Sequence, residues 1–94
     1  MVDDRFRNRL AYDLFCGRGT KGFAPVVVER AQNKLKLVYA AAALKDLALI
    51  PGNRLEALRG RRSGTYSIRI NQQWRICFTW SHGQAEDIEV TDYH

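Results

Sequence analysis

The sequence lacks the features that would take a protein out of the cytosol. No apolar run approaches the roughly 20 residues that span a bilayer. The first ten residues, MVDDRFRNRL, have none of the apolar core of a secretory signal. The chain is therefore expected in the cytoplasm, with no membrane partner. Cysteine is scarce too. Cys16 and Cys77 form neither a CxxC nor a Cys/His metal spacing, so no metal or other cofactor is expected. In a reducing compartment they read as two small apolar side chains rather than a bridge. No repeat, linker or low-complexity stretch divides the chain, and its 94 residues are expected to form one domain, residues 1–94, around one core. Acids are missing from one region in particular. Between Arg54 and Arg75 there are six arginines and no acid but Glu56, whereas EDIEVTD near the end has four acids and no base.

What is present describes a folded, basic protein. Hydrophobic residues make up 46% and charged ones 27%, which excludes disorder, and the formal net charge is +5. The first half reads as helical. RNRLAYDLFCG sets Phe6, Leu10 and Leu14 near one face and ends at Gly17, a C-cap residue. Pro25 suits the first turn of a second helix, in which Val28, Ala31, Leu35, Val38 and Ala42 make an apolar stripe. Arg30, Lys34 and Lys36 lie mostly away from that stripe. AAALKDLALIPGN then extends or breaks the helix and closes at Pro51-Gly52.

From Asn53 the period changes to two. TYSIRIN sets Tyr66, Ile68 and Ile70 against Ser67, Arg69 and Asn71. WRICFTW sets Trp74, Ile76, Phe78 and Trp80 against Arg75, Cys77 and Thr79, and DIEVT sets Ile88 and Val90 against Asp87, Glu89 and Thr91. The short connections GRRSG, NQQ and SHGQ favour turns. The expected fold is α+β, two N-terminal helices on a twisted antiparallel sheet of four to five strands, with VDDRF a possible extra edge strand. One face packs on the helices, and the other is open and polar and carries Arg69 and Arg75.

Arginine's planar fork suits phosphate, and these arginines belong to strands and turns rather than to a tail. Phosphate-bearing partners are the leading class. The last residues, Asp92, Tyr93 and His94, add an acid, a phenol and an imidazole. Such a set beside guanidiniums could cleave RNA without a metal, by removing the 2′-hydroxyl proton, protonating the leaving 5′-oxygen and stabilising the phosphorane. The plainer readings are a solvated terminus and an Arg75–Glu89 pair across strands. Alternation also raises a conflict. If Val90 faces the core, so do Asp92 and His94, with only Tyr93 on the Arg75 side, unless the strand twists or bulges at its end.

The block PGNRLEALRGRRSGTYSIRINQQWRICFTW together with the terminal VTDYH closely resembles the HigB, or plasmid-maintenance killer, branch of the RelE/ParE toxin superfamily. The resemblance implies a RelE-like microbial RNase fold. It implies a ribosome-dependent endoribonuclease that cuts messenger RNA in the A site of the 70S ribosome, and an inhibitory helix-turn-helix antitoxin through which alone the toxin reaches operator DNA. It gives catalytic roles to Asp92, Tyr93 and His94, and to Arg75 after the Trp of QWR. Arg59 takes the basic position before a glycine. Arg61, Arg62 and Arg69 are expected to hold RNA phosphates. Where some members carry a histidine, this chain has Glu56. An ordinary glutamate is ionised at neutral pH, so Glu56 can serve as base or as an orienter of arginines, or can simply pair with one. His82 is not an obvious replacement. Two rivals are the gyrase-inhibiting ParE branch, which needs no catalytic terminus, and a weak toxin whose role is to regulate its operon.

Overall fold

The computed structural model describes residues 4–60 and 64–92. The start of VDDRF, the turn residues Arg61 and Arg62, and the terminal Tyr93 and His94 lie outside the described residues. Among the described residues three helices, α1 (Arg9–Phe15), α2 (Pro25–Ala40) and α3 (Leu44–Ala48), precede four strands: β1 (Glu56–Ala57), β2 (Thr65–Arg69), β3 (Trp74–Ser81) and β4 (Gln84–Asp92). The strands lie in the order β1-β2-β3-β4, all neighbours antiparallel, which is the expected meander in an α+β fold. Among the described residues no helix is long and apolar enough to cross a membrane.

Asn8 starts α1 and ties it to the sheet. Its side-chain oxygen accepts from Ala11 N at 3.0 Å, the bond an N-cap makes, and its Nδ2 donates to Val90 O at 3.0 Å. The helix ends before Gly17, whose φ of 80° is the left-handed geometry expected of a C-cap glycine. In α2 the stripe holds for the buried Ala31, Leu35 and Val38. It fails at Ala42, which is exposed beyond the helix end. Ala40–Ala43 are four alanines in a row, a composition that favours continued helix. The chain nevertheless turns extended at Ala41, with ψ 130°, and α3 then delivers Leu47 to the core at 1% exposure. Tertiary burial has overridden local propensity here.

The helices meet one face of the sheet, where Ile68, Ile76, Phe78, Ile88 and Val90 are buried with Leu14, Leu35, Val38 and Leu47. Each such side chain contributes about 1.5–3 kcal/mol when fully buried. β4 carries a bulge. Cys77 pairs with Glu89 but Thr79 with Glu86, so β4 holds one residue more than β3 across that interval. Asp87 takes the irregular conformation, φ 51°. This resets the alternation and lets both Ala85 and Ile88 face the core. Beyond the bulge the pairing is regular through Ile76–Val90, Arg75–Thr91 and Trp74–Asp92. The bulge thus lies away from the strand's end, and the expected irregularity near Asp92 is not found among the described residues. Of VDDRF, the described part makes a single parallel bridge from Phe6 to Ile88, with Arg7 N donating to Ile88 O at 2.7 Å. Cys16 and Cys77 are not bridged; Cys16 is exposed, and Cys77 is buried although alternation sets it with Arg75 and Thr79, opposite the core face.

Candidate functional site

Cross-strand pairing fixes which side chains share the polar face. Glu56 lies opposite Ser67, Ser67 opposite Cys77, and Cys77 opposite Glu89. In the next row Arg69 lies opposite Arg75, and Arg75 opposite Thr91. Two like charges directly opposed destabilise a sheet, so this row runs against the local rules of strand pairing. Departures of that kind gather at functional sites.

Arg75 is not on an open surface, contrary to the alternation-based expectation. It is 5% exposed. Its Nε donates to Ser67 Oγ at 3.0 Å and its NH2 to the Arg54 carbonyl at 3.0 Å, and the Glu56 carboxylate stands 3.7 Å from NH2. The physical reason is that the chain entering β1 carries the Arg54 carbonyl and Glu56 onto the guanidinium, and alternation cannot see that. At 3.7 Å the Arg75–Glu56 contact is an ion pair too long for a hydrogen bond. Glu56 remains half exposed. Arg54, Glu56, Arg69, Asn71, Gln72 and Arg75 together line a cavity of about 180 Å³.

Arg69 is held by its backbone. Its N–H donates to Asn53 O at 2.7 Å, and its carbonyl accepts from Lys34 Nζ at 2.6 Å. Asn53 is fully buried, and its Nδ2 donates to Leu47 O at 3.1 Å, which fixes the turn between α3 and β1. Asn71 shapes the β2–β3 turn by accepting from Gln73 N at 2.9 Å and Trp74 N at 2.8 Å. Gln73 Nε2 in turn donates to Asp92 Oδ2 at 2.9 Å. Asp92 therefore sits at the Trp74 position of the register, against the hairpin turn, and not in the Arg75 row. Arg59 is exposed past the end of β1, and the cavity around Arg75 is lined without it. Glu89, which the sequence suggested as a partner for Arg75, lies opposite Cys77 and pairs with Arg7 at 3.2 Å. Among the described residues no three His, Cys, Asp or Glu side chains gather as a metal site would require.

Sequence reasoning missed Lys34, Arg30 and Arg54. These line a second, larger cavity of about 510 Å³ with Arg69, Asn71 and Gln72. A signal was available: Arg30 and Lys34 are four apart on α2, a like-charged pair that an isolated helix disfavours. Burial pushes the Lys34 ammonium below its ordinary pKa, and Arg30, Arg69 and Arg75 lower it further. The unfolded chain therefore holds this proton more readily than the native one. Stability from Lys34 is expected to rise as pH climbs from the lowered value towards 10.5. Denaturant midpoints in the alkaline range, taken against Lys34→Met, should show this slope in the parent and not in the variant.

Comparison with known proteins places these features in a family. A model of the RelE-like toxin of type II toxin-antitoxin system HigB matches residues 4–94. A Vibrio cholerae protein named Toxin HigB-1 is 45% identical over 62 residues, 65% of each chain, so the match spans a little under two thirds of that relative. A Proteus vulgaris protein named Endoribonuclease HigB is 32% identical over 79 residues, 80% of each chain.

Proposed function

We propose how a chain that belongs to the HigB family, the RelE-like toxins of type II toxin-antitoxin systems, uses this cavity: it cuts messenger RNA in the ribosomal A site. The observation that carries the reading is the buried Arg75 set directly opposite Arg69, with the Glu56 carboxylate at the same cavity. Two cations forced together at a concave, partly dry place form a receptor for an anion. The name of the Proteus vulgaris relative supports the choice of RNA.

In this mechanism Glu56 takes the proton of the 2′-hydroxyl, and O2′ bonds to the adjacent phosphorus. Arg75 stabilises the extra negative charge of the phosphorane, helped by Arg59. The P–O5′ bond breaks as His94 protonates the leaving oxygen. The products are a 2′,3′-cyclic phosphate and a 5′-hydroxyl, and the proton balance needs no metal. Asp92 tunes or orients His94, Tyr93 stacks on a base, and Arg61, Arg62 and Arg69 hold neighbouring phosphates. Regular pairing of β4 up to Asp92, with Thr91 opposite Arg75, brings the strand to the edge of this cavity just before its last two residues. The toxin acts in the cytoplasm, and its family's antitoxin is taken to be a helix-turn-helix protein that alone contacts operator DNA.

Glu56 is the residue on which this chain departs from the members with histidine, and its half-exposed carboxylate at the cavity suits it to the base role. Glu56→Gln is expected to slow cleavage about 10²- to 10⁴-fold, with Glu56→His restoring it. A Gln variant that cuts at the parent's rate would leave Glu56 as an ion-pair partner only. The function itself is tested by mapping message 5′ ends after expression. Codon-phased cuts support it. DNA damage without cuts would favour gyrase inhibition, and neither would favour a regulatory role.

A further inference from the structure

The groove between α2 and the β2–β3 turn has no part in the cleavage step described above. Its walls among the described residues are Arg30, Lys34, Gly52, Arg54, Arg69, Ile70, Asn71 and Gln72, none of them an acid. The smaller cavity around Arg75 shares Arg54, Arg69, Asn71 and Gln72 with it but adds the carboxylate of Glu56. The two spaces therefore adjoin, with four residues in common, and differ in chemistry. One has a carboxylate that can take a proton, and the polar side chains described in the other are cations and amides.

We propose that this groove binds the ribose-phosphate backbone of the RNA next to the cut, with Arg30, Lys34 and Arg54 as its phosphate contacts. The proposal deepens the reading above and rests on it for the identity of the substrate. The cations are placed rather than merely near. Lys34 Nζ donates to Arg69 O at 2.6 Å and to Gly52 O at 3.4 Å, so it joins α2 to both walls. Arg54 has φ 49°, a backbone conformation uncommon outside glycine, and follows Gly52 at φ 87°. Such strain persists where the surrounding structure holds it, commonly at binding sites. The arrangement is also unfavourable as it stands. Arg30 and Lys34 repel along the helix, and Arg69 and Arg75 repel across the strands; burial first, and then the charges of Arg30, Arg69 and Arg75, lower the proton affinity of Lys34. A phosphodiester in the groove relieves both repulsions together. Arginine's fork fits its oxygens, and Gln72 at the rim offers an amide to ribose or base. An acidic segment of a protein partner shares part of this chemistry. The four residues shared with the cavity holding Glu56 and Arg75 favour a chain of phosphates that passes from one to the other.

The test uses a short 2′-O-methyl RNA oligonucleotide, which lacks the attacking hydroxyl and cannot be cut, titrated into the full chain at several salt concentrations. Arg30→Gln with Arg54→Asn (Asn tolerates the left-handed backbone) is expected to weaken binding about tenfold or more at low salt. It should also flatten the salt dependence by roughly 0.7 per lost contact. Lys45→Gln, which removes an exposed charge of α3, should leave the slope unchanged. Equal melting temperatures show that the fold is kept. An unchanged affinity and slope in the double variant overturns the proposal, as does a parent that does not bind the oligonucleotide. Unchanged RNA binding with lost antitoxin affinity also overturns it, and assigns the groove to an acidic protein segment. A parent that binds the oligonucleotide but cuts no message would contradict the proposed reaction while leaving the groove's ligand class standing.

Discussion

Arg75→Met is expected to slow cleavage about 10²- to 10³-fold while the free energy of unfolding stays within about 1 kcal/mol of the parent. The two halves of this prediction have separate causes. In the reaction the guanidinium is already fixed, by Ser67 Oγ and the Arg54 carbonyl, before any phosphate arrives. Its charge then meets the phosphorane at little cost of reorganisation, which is where donors held in advance have their largest effect. In the folded chain the same charge is a burden. It is 5% exposed and faces Arg69 across the ladder, with the Glu56 carboxylate 3.7 Å away. Arg75→Met removes the desolvation cost and the repulsion, which offset the lost hydrogen bonds, and the half-exposed Glu56 returns to water instead of being left as a buried unpaired charge. Single-turnover cleavage and urea titration on the same preparation measure both quantities. A variant that loses activity and stability together would make Arg75 a structural residue.

His94→Ala carries the second large effect, a loss of about 10²- to 10⁴-fold with no change in the melting temperature. The last buried residue of β4 is Val90, so the described core does not reach the end of the chain. The sharper readout is the pH profile. An imidazole that protonates the leaving oxygen must carry its proton, so the parent's rate should fall as pH rises through the histidine range. In His94→Ala that fall should disappear, leaving a low and flatter profile. A parent with no alkaline fall would take the acid role away from His94.

Much of the fold was legible because strand alternation is a local property. Tyr66, Ile68 and Ile70 against Ser67 and Arg69 fixed a face, and the short connections left few topologies. The helix ends were legible where a residue has one conformational use, as Gly17 and Pro25 do. Three features were hidden for physical reasons. The break after Ala40 follows from burying Leu47, a tertiary gain invisible in a run of alanines. The bulge at Asp87 leaves only an aspartate as its trace, and aspartate tolerates many turns. The burial of Arg75 depends on a strand of two residues, β1, too short to show a period. The groove was hidden for a fourth reason. Lys34 and Arg69 are 35 residues apart in sequence and meet only once α2 has packed on the sheet. Their charges were countable in the sequence, but their convergence was not.

The central claim is that the buried Arg75, with Glu56 at the same cavity, forms the place where a messenger is cut. The most direct measurement maps 5′ ends on ribosome-bound message from cells expressing either the parent chain or folded Arg75→Met. The account predicts codon-phased cuts ending in 5′-hydroxyls with the parent, and their near disappearance with the variant. Cuts at the same codons and in the same yield from both proteins would contradict it.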